Sequence, residues 1–253
     1  MLMKPSSTTW FNCQKTGTLP AVRLFCFPYA GGGAVIYRGW GGILPRHVEV
    51  CAAQLPGRGA RVKEPAATQL GALVRALADA LEDNLERPFA FFGHSMGALI
   101  CFELARHLRE RGGPQPNHLF VSGRRAPQLP GTERVIHDLP EPEFIEELRR
   151  LQGTPTEVLE HPELMQLLSP LLRADFSLAE TYAYAPGTPL DCPISAFGGL
   201  QDEEVGREEL EGWKEQTTGR FKLRMMPGNH FFLNDVQQPL LRSIAEDLSS
   251  LIS

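Results

Sequence analysis

The sequence predicts an α/β fold: a mainly parallel central sheet with helices on both faces and an inserted helical segment. Three observations predict it. Short apolar runs alternate with helical patterns along the chain, as βα units feeding a parallel sheet do. The runs show little period-2 alternation, as strands buried on both faces require. One stretch, 126–185, breaks the rhythm with helical patterns and no convincing strand.

Each element has a local reason. Val22–Phe27 is an apolar strand closed by Pro28 and Gly31-Gly32-Gly33. A second strand, 47–53, is closed by Pro56-Gly57. Thr68 is the expected N-cap of a helix that carries Leu70, Leu73, Leu77, Leu81 and Leu85 on one face. Residues 89–92 form a short, wholly apolar strand, and 98–111 form a helix stopped by Gly112-Gly113-Pro114. His118–Ser122, 194–197 and Phe221–Met226 are further strands, and 237–251 is a closing helix. Within 126–185 the helical patterns lie at Glu141–Leu151 and 162–184. No Ser- or Gly-rich linker sets this stretch apart, so the expectation is one domain, 1–253, with a lid inserted at about 126–185.

Composition narrows the function. A formal net charge of -5 excludes a general nucleic-acid binder, because phosphate binding needs a basic excess. No apolar run approaches the roughly 18 residues that span a bilayer, and the start of the chain has no apolar signal core. Cys13, Cys26, Cys51, Cys101 and Cys192 are odd in number and include no Cys-x-x-Cys pair. Neither a disulfide framework nor a metal site is expected. The cysteines are read as buried reduced thiols, which fits the cytoplasm.

The chemistry concentrates in Gly93-His94-Ser95-Met96-Gly97, which follows one strand and opens the next helix. A nucleophile elbow needs that context: strand, sharp turn, helix. Ser95 is the candidate nucleophile, at the carboxyl edge of the sheet where open α/β sheets bind ligands. The alternative is a serine N-cap with tight helix–strand packing. A serine needs a base, and in this topology the order is Ser, acid, His. His118 begins a strand and lies at the wrong end, while His137 and His161 fall in the lid. His230 follows the 221–226 strand and is the candidate base. Asp202 lies just past the 194–197 strand and is the candidate acid; Asp191, Glu203, Glu204 and Asp175 are its rivals. The oxyanion hole needs two backbone N–H groups. They are assigned to Met96 and to Ala30 in the glycine-rich loop after the first parallel strand, with Tyr29 as the other option for the second. No Gly-Lys-Ser/Thr follows those glycines, so a Walker-type phosphate loop is rejected.

Together these residues resemble the stand-alone type II thioesterases of polyketide and nonribosomal peptide biosynthesis. The stretches that carry the resemblance are Phe27-Pro28-Tyr29-Ala30-Gly31-Gly32, Leu55-Pro56-Gly57-Arg58-Gly59, the elbow, Ser122-Gly123-Arg124-Arg125-Ala126-Pro127, Phe197-Gly198-Gly199 with Asp202, and His230-Phe231-Phe232-Leu233. The resemblance implies an α/β-hydrolase fold with a mobile helical lid. It implies hydrolysis of acyl groups from the phosphopantetheine arm of acyl or peptidyl carrier proteins, with no cofactor of the enzyme's own. One departure is Gly228-Asn229-His230 where the family has Gly-Gly-His, and asparagine tolerates a left-handed backbone. Tyr29, Phe144, Leu148, Leu172, Phe176 and Phe231 are the candidate substrate-lining residues; for the lid members, packing against the core is the alternative. Arg124 and Arg125 are candidates to face an acidic carrier protein. A monomer is expected, since no hydrophobic stripe is left over. A general carboxylesterase or lipase of the same fold, and a non-enzymatic scaffold, remain open at this level.

Overall fold

Among the described residues, seven strands form one sheet: β1 (Phe11–Cys13), β2 (Val22–Phe27), β3 (Val48–Ala53), β4 (Phe89–His94), β5 (His118–Ser122), β6 (Ile194–Gly199) and β7 (Phe221–Met226). Their order across the sheet is β1-β3-β2-β4-β5-β6-β7. All neighbours are parallel except the β1–β3 pair. The computed structural model describes residues 10–14, 19–131, 134–249 and 251, without the side chain of Asp83. The chain runs from β2 outward to β3, then returns to the other side of β2 as β4. That reversal makes the carboxyl ends of β2 and β4 the topological switch point, where doubly wound sheets hold their ligands.

Both faces of the sheet are buried, which explains the unalternating strands. Phe25, Phe27, Phe89 and Phe91 stack under α2 (Leu70–Leu81) and α3 (Met96–Glu110). Phe25 and Phe91 are register partners with rings 6.1 Å apart, edge to face. Leu24, Cys26, Ala90 and Phe92 face the opposite layer, with Tyr37, with Trp40 of the short helix α1 (Trp40–Ile43) and with Leu240, Leu241 and Ile244 of the last helix. Each fully buried Phe or Leu contributes about 1.5–3 kcal/mol. Between β5 and β6 lie α4 (Glu141–Leu151), α5 (Thr156–Leu159) and α6 (Pro162–Glu180), which have a small core of their own around Phe144, Leu148 and Leu172. The chain closes with α7 (Arg207–Glu211), α8 (Phe232–Asp235) and α9 (Gln237–Ser249).

Three readings need correction. β1 is too short to carry a pattern and was not foreseen. Its Cys13 lies opposite Cys51 of β3, and the two form a disulfide, so the expectation of reduced thiols throughout fails for this pair. Cys26, Cys101 and Cys192 are free thiols. Thr68 does not cap α2: Gln69 is the N-cap residue, without a side-chain bond, and the Thr68 carbonyl instead accepts from the Ser177 hydroxyl of α6.

A second serine, histidine and aspartate cluster near the amino ends of β5 and β6. Ser195 donates to Asp247 Oδ2 at 2.7 Å, so His118 Nε2, 2.9 Å from the Ser195 oxygen, is the donor to it. The serine thus sits between imidazole and carboxylate, the reverse of a catalytic relay, and it is fully buried. Asp247 also takes Arg224 at 2.8 and 3.0 Å, and Lys222. Burial alone would raise its carboxyl; the bonds from Arg224, Lys222 and Ser195 outweigh that and hold it well below the usual carboxylate range. The cluster is a buried structural network.

Burial, against the pull of Asp247, brings the His118 imidazole down to about 4. Between an unfolded value of about 6.5 and that folded value, only the unfolded chain binds the proton. Stability therefore falls as pH drops through this window. Urea unfolding at pH 7 and pH 4.5 is expected to show a loss in the wild type that exceeds the loss in His118→Asn by about 2 kcal/mol. Equal losses in the two proteins would refute a neutral buried His118.

Candidate active site

The elbow is built by two close backbone approaches. A Cβ on Gly97 would stand 2.1 Å from the Phe27 carbonyl oxygen, and one on Gly93 would stand 2.1 Å from the Gly97 oxygen. Only glycine lets α3 start this close to β2. Between them Ser95 takes φ 53° and ψ -114°, a strained state that costs about 1–3 kcal/mol and persists only where the surroundings enforce it. Ser95 N–H donates to the Ser122 carbonyl at 2.7 Å, which ties the turn to β5. The neighbouring His94 is fully buried, with Nδ1 2.9 Å from Ser122 Oγ. Burial, then the charge of His230, hold its imidazole well below the ordinary value, so it supports the turn as a neutral ring.

The loops after β6 and β7 supply the acid and the base. Asp202 Oδ1 accepts from the N–H groups of Glu204 (2.8 Å) and Val205 (3.1 Å), leaving Oδ2 for His230 Nδ1 at 2.9 Å. The Asp202 side chain is fully buried. The two loops meet because a Cβ on Gly199 would lie 2.4 Å from the Asn229 carbonyl oxygen. Gly228, at φ 113°, takes the left-handed conformation that had been allowed for Asn229, which is not among the positive-φ residues. Asn229 works through its side chain instead, accepting from Phe231 N–H at 2.9 Å and donating to Gln152 at 3.1 Å.

After β2, Gly32 N–H closes a turn on the Tyr29 carbonyl at 2.9 Å, with Gly31 at φ 77° in its third position. That is a type II turn, which needs glycine there. Among the described residues, the N–H groups of Ala30 and Met96 have no hydrogen-bond acceptor. Met96 opens α3, where N–H groups are unpaired by construction and the helix dipole favours negative charge.

Ser95, Met96, Ala30 and His230 line one cleft of about 900 Å³, part of it open to solvent. No hydrogen bond joins Ser95 to His230 among the described residues; such contacts are often loose without substrate. Tyr29, Leu148, Leu172, Phe176 and Phe231 line the cleft, joined by Ile136, Leu151 and Val205, which the sequence did not single out. Phe144 is a correction. It is fully buried within the lid, edge-on to Phe176 at 6.1 Å and covered by the Arg173 guanidinium at 4.1 Å, and it does not line the cleft. Arg124 lines the cleft, but Arg125 is buried, bonded to the Pro130 carbonyl and near Glu209, and cannot face a partner.

Two contacts were not foreseen. Arg150, at the end of α4, pairs with Glu204 at 2.6 Å, beside the Asp202 loop. Asp175 of α6 pairs with Arg58 at 2.6 Å and accepts from Gly31 N–H at 2.7 Å. The Leu55–Gly59 motif carried the signal for Arg58, but its partner is 117 residues away.

The thioesterase domain family matches residues 22–251. Linear gramicidin dehydrogenase LgrE of Brevibacillus parabrevis is 47% identical over 98% of this chain and 95% of that protein. Despite that name, the loop after β2 here lacks the G-x-G-x-x-G spacing of a dinucleotide site. The solved structure of RedJ, a thioesterase from the prodiginine pathway of Streptomyces coelicolor, is 44% identical, covers 90% of this chain and 86% of its own, and superposes with a TM-score of 0.85. BorB, the type II thioesterase of the borrelidin cluster, is 37% identical over 95% of this chain and 98% of its own, with a TM-score of 0.84. Fold, elbow and relatives agree, and the chain belongs to the thioesterase domain family.

Proposed function

We propose that this thioesterase hydrolyses acyl groups from the phosphopantetheine arms of acyl or peptidyl carrier proteins in polyketide or nonribosomal peptide synthesis, as an editing enzyme that removes stalled or mis-primed groups. The observation that carries the reading is one cleft under the lid holding Ser95 on a strained elbow, His230 bonded to Asp202, and two uncommitted N–H groups. The prodiginine and borrelidin pathways to which RedJ and BorB belong support the substrate class.

In the proposed reaction, His230 Nε2 takes the Ser95 proton and Ser95 Oγ attacks the thioester carbonyl. The oxyanion accepts from the N–H groups of Met96 and Ala30. Collapse breaks the C–S bond, and His230 returns the proton to the departing pantetheine thiol. Water, deprotonated by His230, then attacks the acyl-serine; the carboxylic acid leaves and Ser95 regains its proton. Asp202 accepts from His230 Nδ1–H, which leaves Nε2 free as the base and stabilises the imidazolium. The only prosthetic group in this scheme arrives on the carrier protein.

The proposed setting is cytoplasmic, on the free thiols Cys26, Cys101 and Cys192; the Cys13–Cys51 disulfide argues the other way. Separately, among the described residues no helix is long and apolar enough to cross a membrane. A monomer is proposed, and light scattering is expected to give a mass near 28.0 kDa; a stable dimer mass overturns it.

Ser95→Ala is expected to abolish hydrolysis of an acyl-carrier thioester, and Asp202→Asn to lower kcat by about 10⁴-fold with the fold intact by circular dichroism. Unchanged turnover in Ser95→Ala refutes the nucleophile. A kcat/KM higher for acyl-carrier thioesters than for p-nitrophenyl esters of the same acyl group is expected. The opposite preference favours a general carboxylesterase.

A further inference from the structure

The loop that carries Ala30 is gripped from the lid. Gly31 N–H, in the peptide unit that directly follows Ala30, donates to Asp175 Oδ2 at 2.7 Å. Arg58 completes the grip, with Nη1 donating to the Gly32 carbonyl at 2.8 Å and to Asp175 Oδ2 at 2.7 Å, and Nη2 donating to Asp175 Oδ1 at 2.6 Å. Carboxylate and guanidinium are 0% and 7% exposed. Such a bidentate, water-excluded pair is geometrically demanding. A buried pair of this kind adds little net stability over an apolar one, so stability alone does not account for it.

Turn geometry says what the pair does. Types I and II differ in the orientation of the central peptide, here Ala30–Gly31. With Gly31 at φ 77° its N–H is presented to Asp175 rather than turned away. The carboxylate selects this orientation, and Arg58 holds the following carbonyl in place. The Ala30 backbone is thereby fixed between β2 and a pinned peptide. Oxyanion donors stabilise the transition state only when they are pre-aimed.

We propose that Asp175 and Arg58 are positioning residues for the oxyanion hole: through Gly31 and Gly32 they aim the Ala30 N–H at the carbonyl oxygen as it becomes an oxyanion. The inference rests on the proposed role of Ser95 and Ala30. It gives α6 a part in the chemical step beyond roofing the cleft.

The test uses the whole 253-residue chain with an acyl-N-acetylcysteamine thioester. Asp175→Ala removes the acceptor but strands a buried arginine and risks misfolding. Arg58→Met/Asp175→Leu removes both charges together and leaves the Gly31 N–H and Gly32 carbonyl unheld. The double variant, assayed below its melting temperature, is expected to lose about 10²-fold in kcat, with KM changed less than about threefold. An alkylboronic acid that forms a tetrahedral adduct on Ser95 is expected to bind about 10²-fold more weakly, while the product carboxylic acid binds as before. A folded double variant with wild-type kcat and boronate affinity overturns the proposal, as does a raised KM with kcat intact, which would make the pair a lid anchor only. Ser95→Ala run alongside separates the two readings: if it stays active the nucleophile assignment fails, and if it is dead while the double variant is unimpaired only the positioning role fails.

Discussion

The site depends on the absence of two side chains. At Gly97 the first turn of α3 rests on the last carbonyl of β2, and at Gly93 the end of β4 rests on Gly97. These approaches pull the helix down onto the switch point and leave Ser95 only a left-handed exit from the strand. With the helix in that place, its unpaired N-terminal N–H groups open into the cleft beside the loop after β2. The other catalytic loops come to the same edge because β5, β6 and β7 are all parallel to β4; β5 ends level with it, and β6 and β7 run two residues further. Strained backbone, oxyanion donors and loop convergence follow from one steric arrangement.

Much of this was legible in the sequence because it is local. A strand, a Gly-x-Ser-x-Gly turn and a helix are contiguous, and the strand ends that carry Asp202 and His230 are marked by apolar runs. What escaped is what depends on pairs distant in sequence or on very short elements. β1 has three residues, and with it the Cys13–Cys51 pairing was invisible. Asp175 carries no sequence signal of its role, because its partner, Arg58, lies 117 residues away. Phe144 has the right residue type and helix, but it points into the core shared by the lid helices; periodicity gives a helix an apolar face without saying whether that face meets a cleft. Arg125 shows the same limit for charge, since a sequence pair of arginines split into one cleft residue and one buried residue.

The lid is not a loose flap over the sheet. Its α4 end reaches the acid and base loops through Arg150–Glu204 and Gln152–Asn229, and its α6 reaches the oxyanion loop through Asp175. The former contacts are exposed and polar, the kind worth little individually in water. The latter is dry. The two ends of the lid therefore differ in strength: the cheaper place to separate lid from body lies at α4, beside His230, while α6 stays attached to the body of the enzyme.

That asymmetry bears on how the cleft can diversify. Leu172, Phe176 and Ala179 line it from the same helix as Asp175, three residues before, one after and four after it. A helix bonded at one buried residue is held against sliding past the loop after β2. The contour of the cleft wall on this side is set by the size of individual side chains, of which Leu172 and Phe176 also pack in the lid's own core. The anchor that restrains the helix leaves Ala179, outside that core, as the cleft-facing position open to variation on its own.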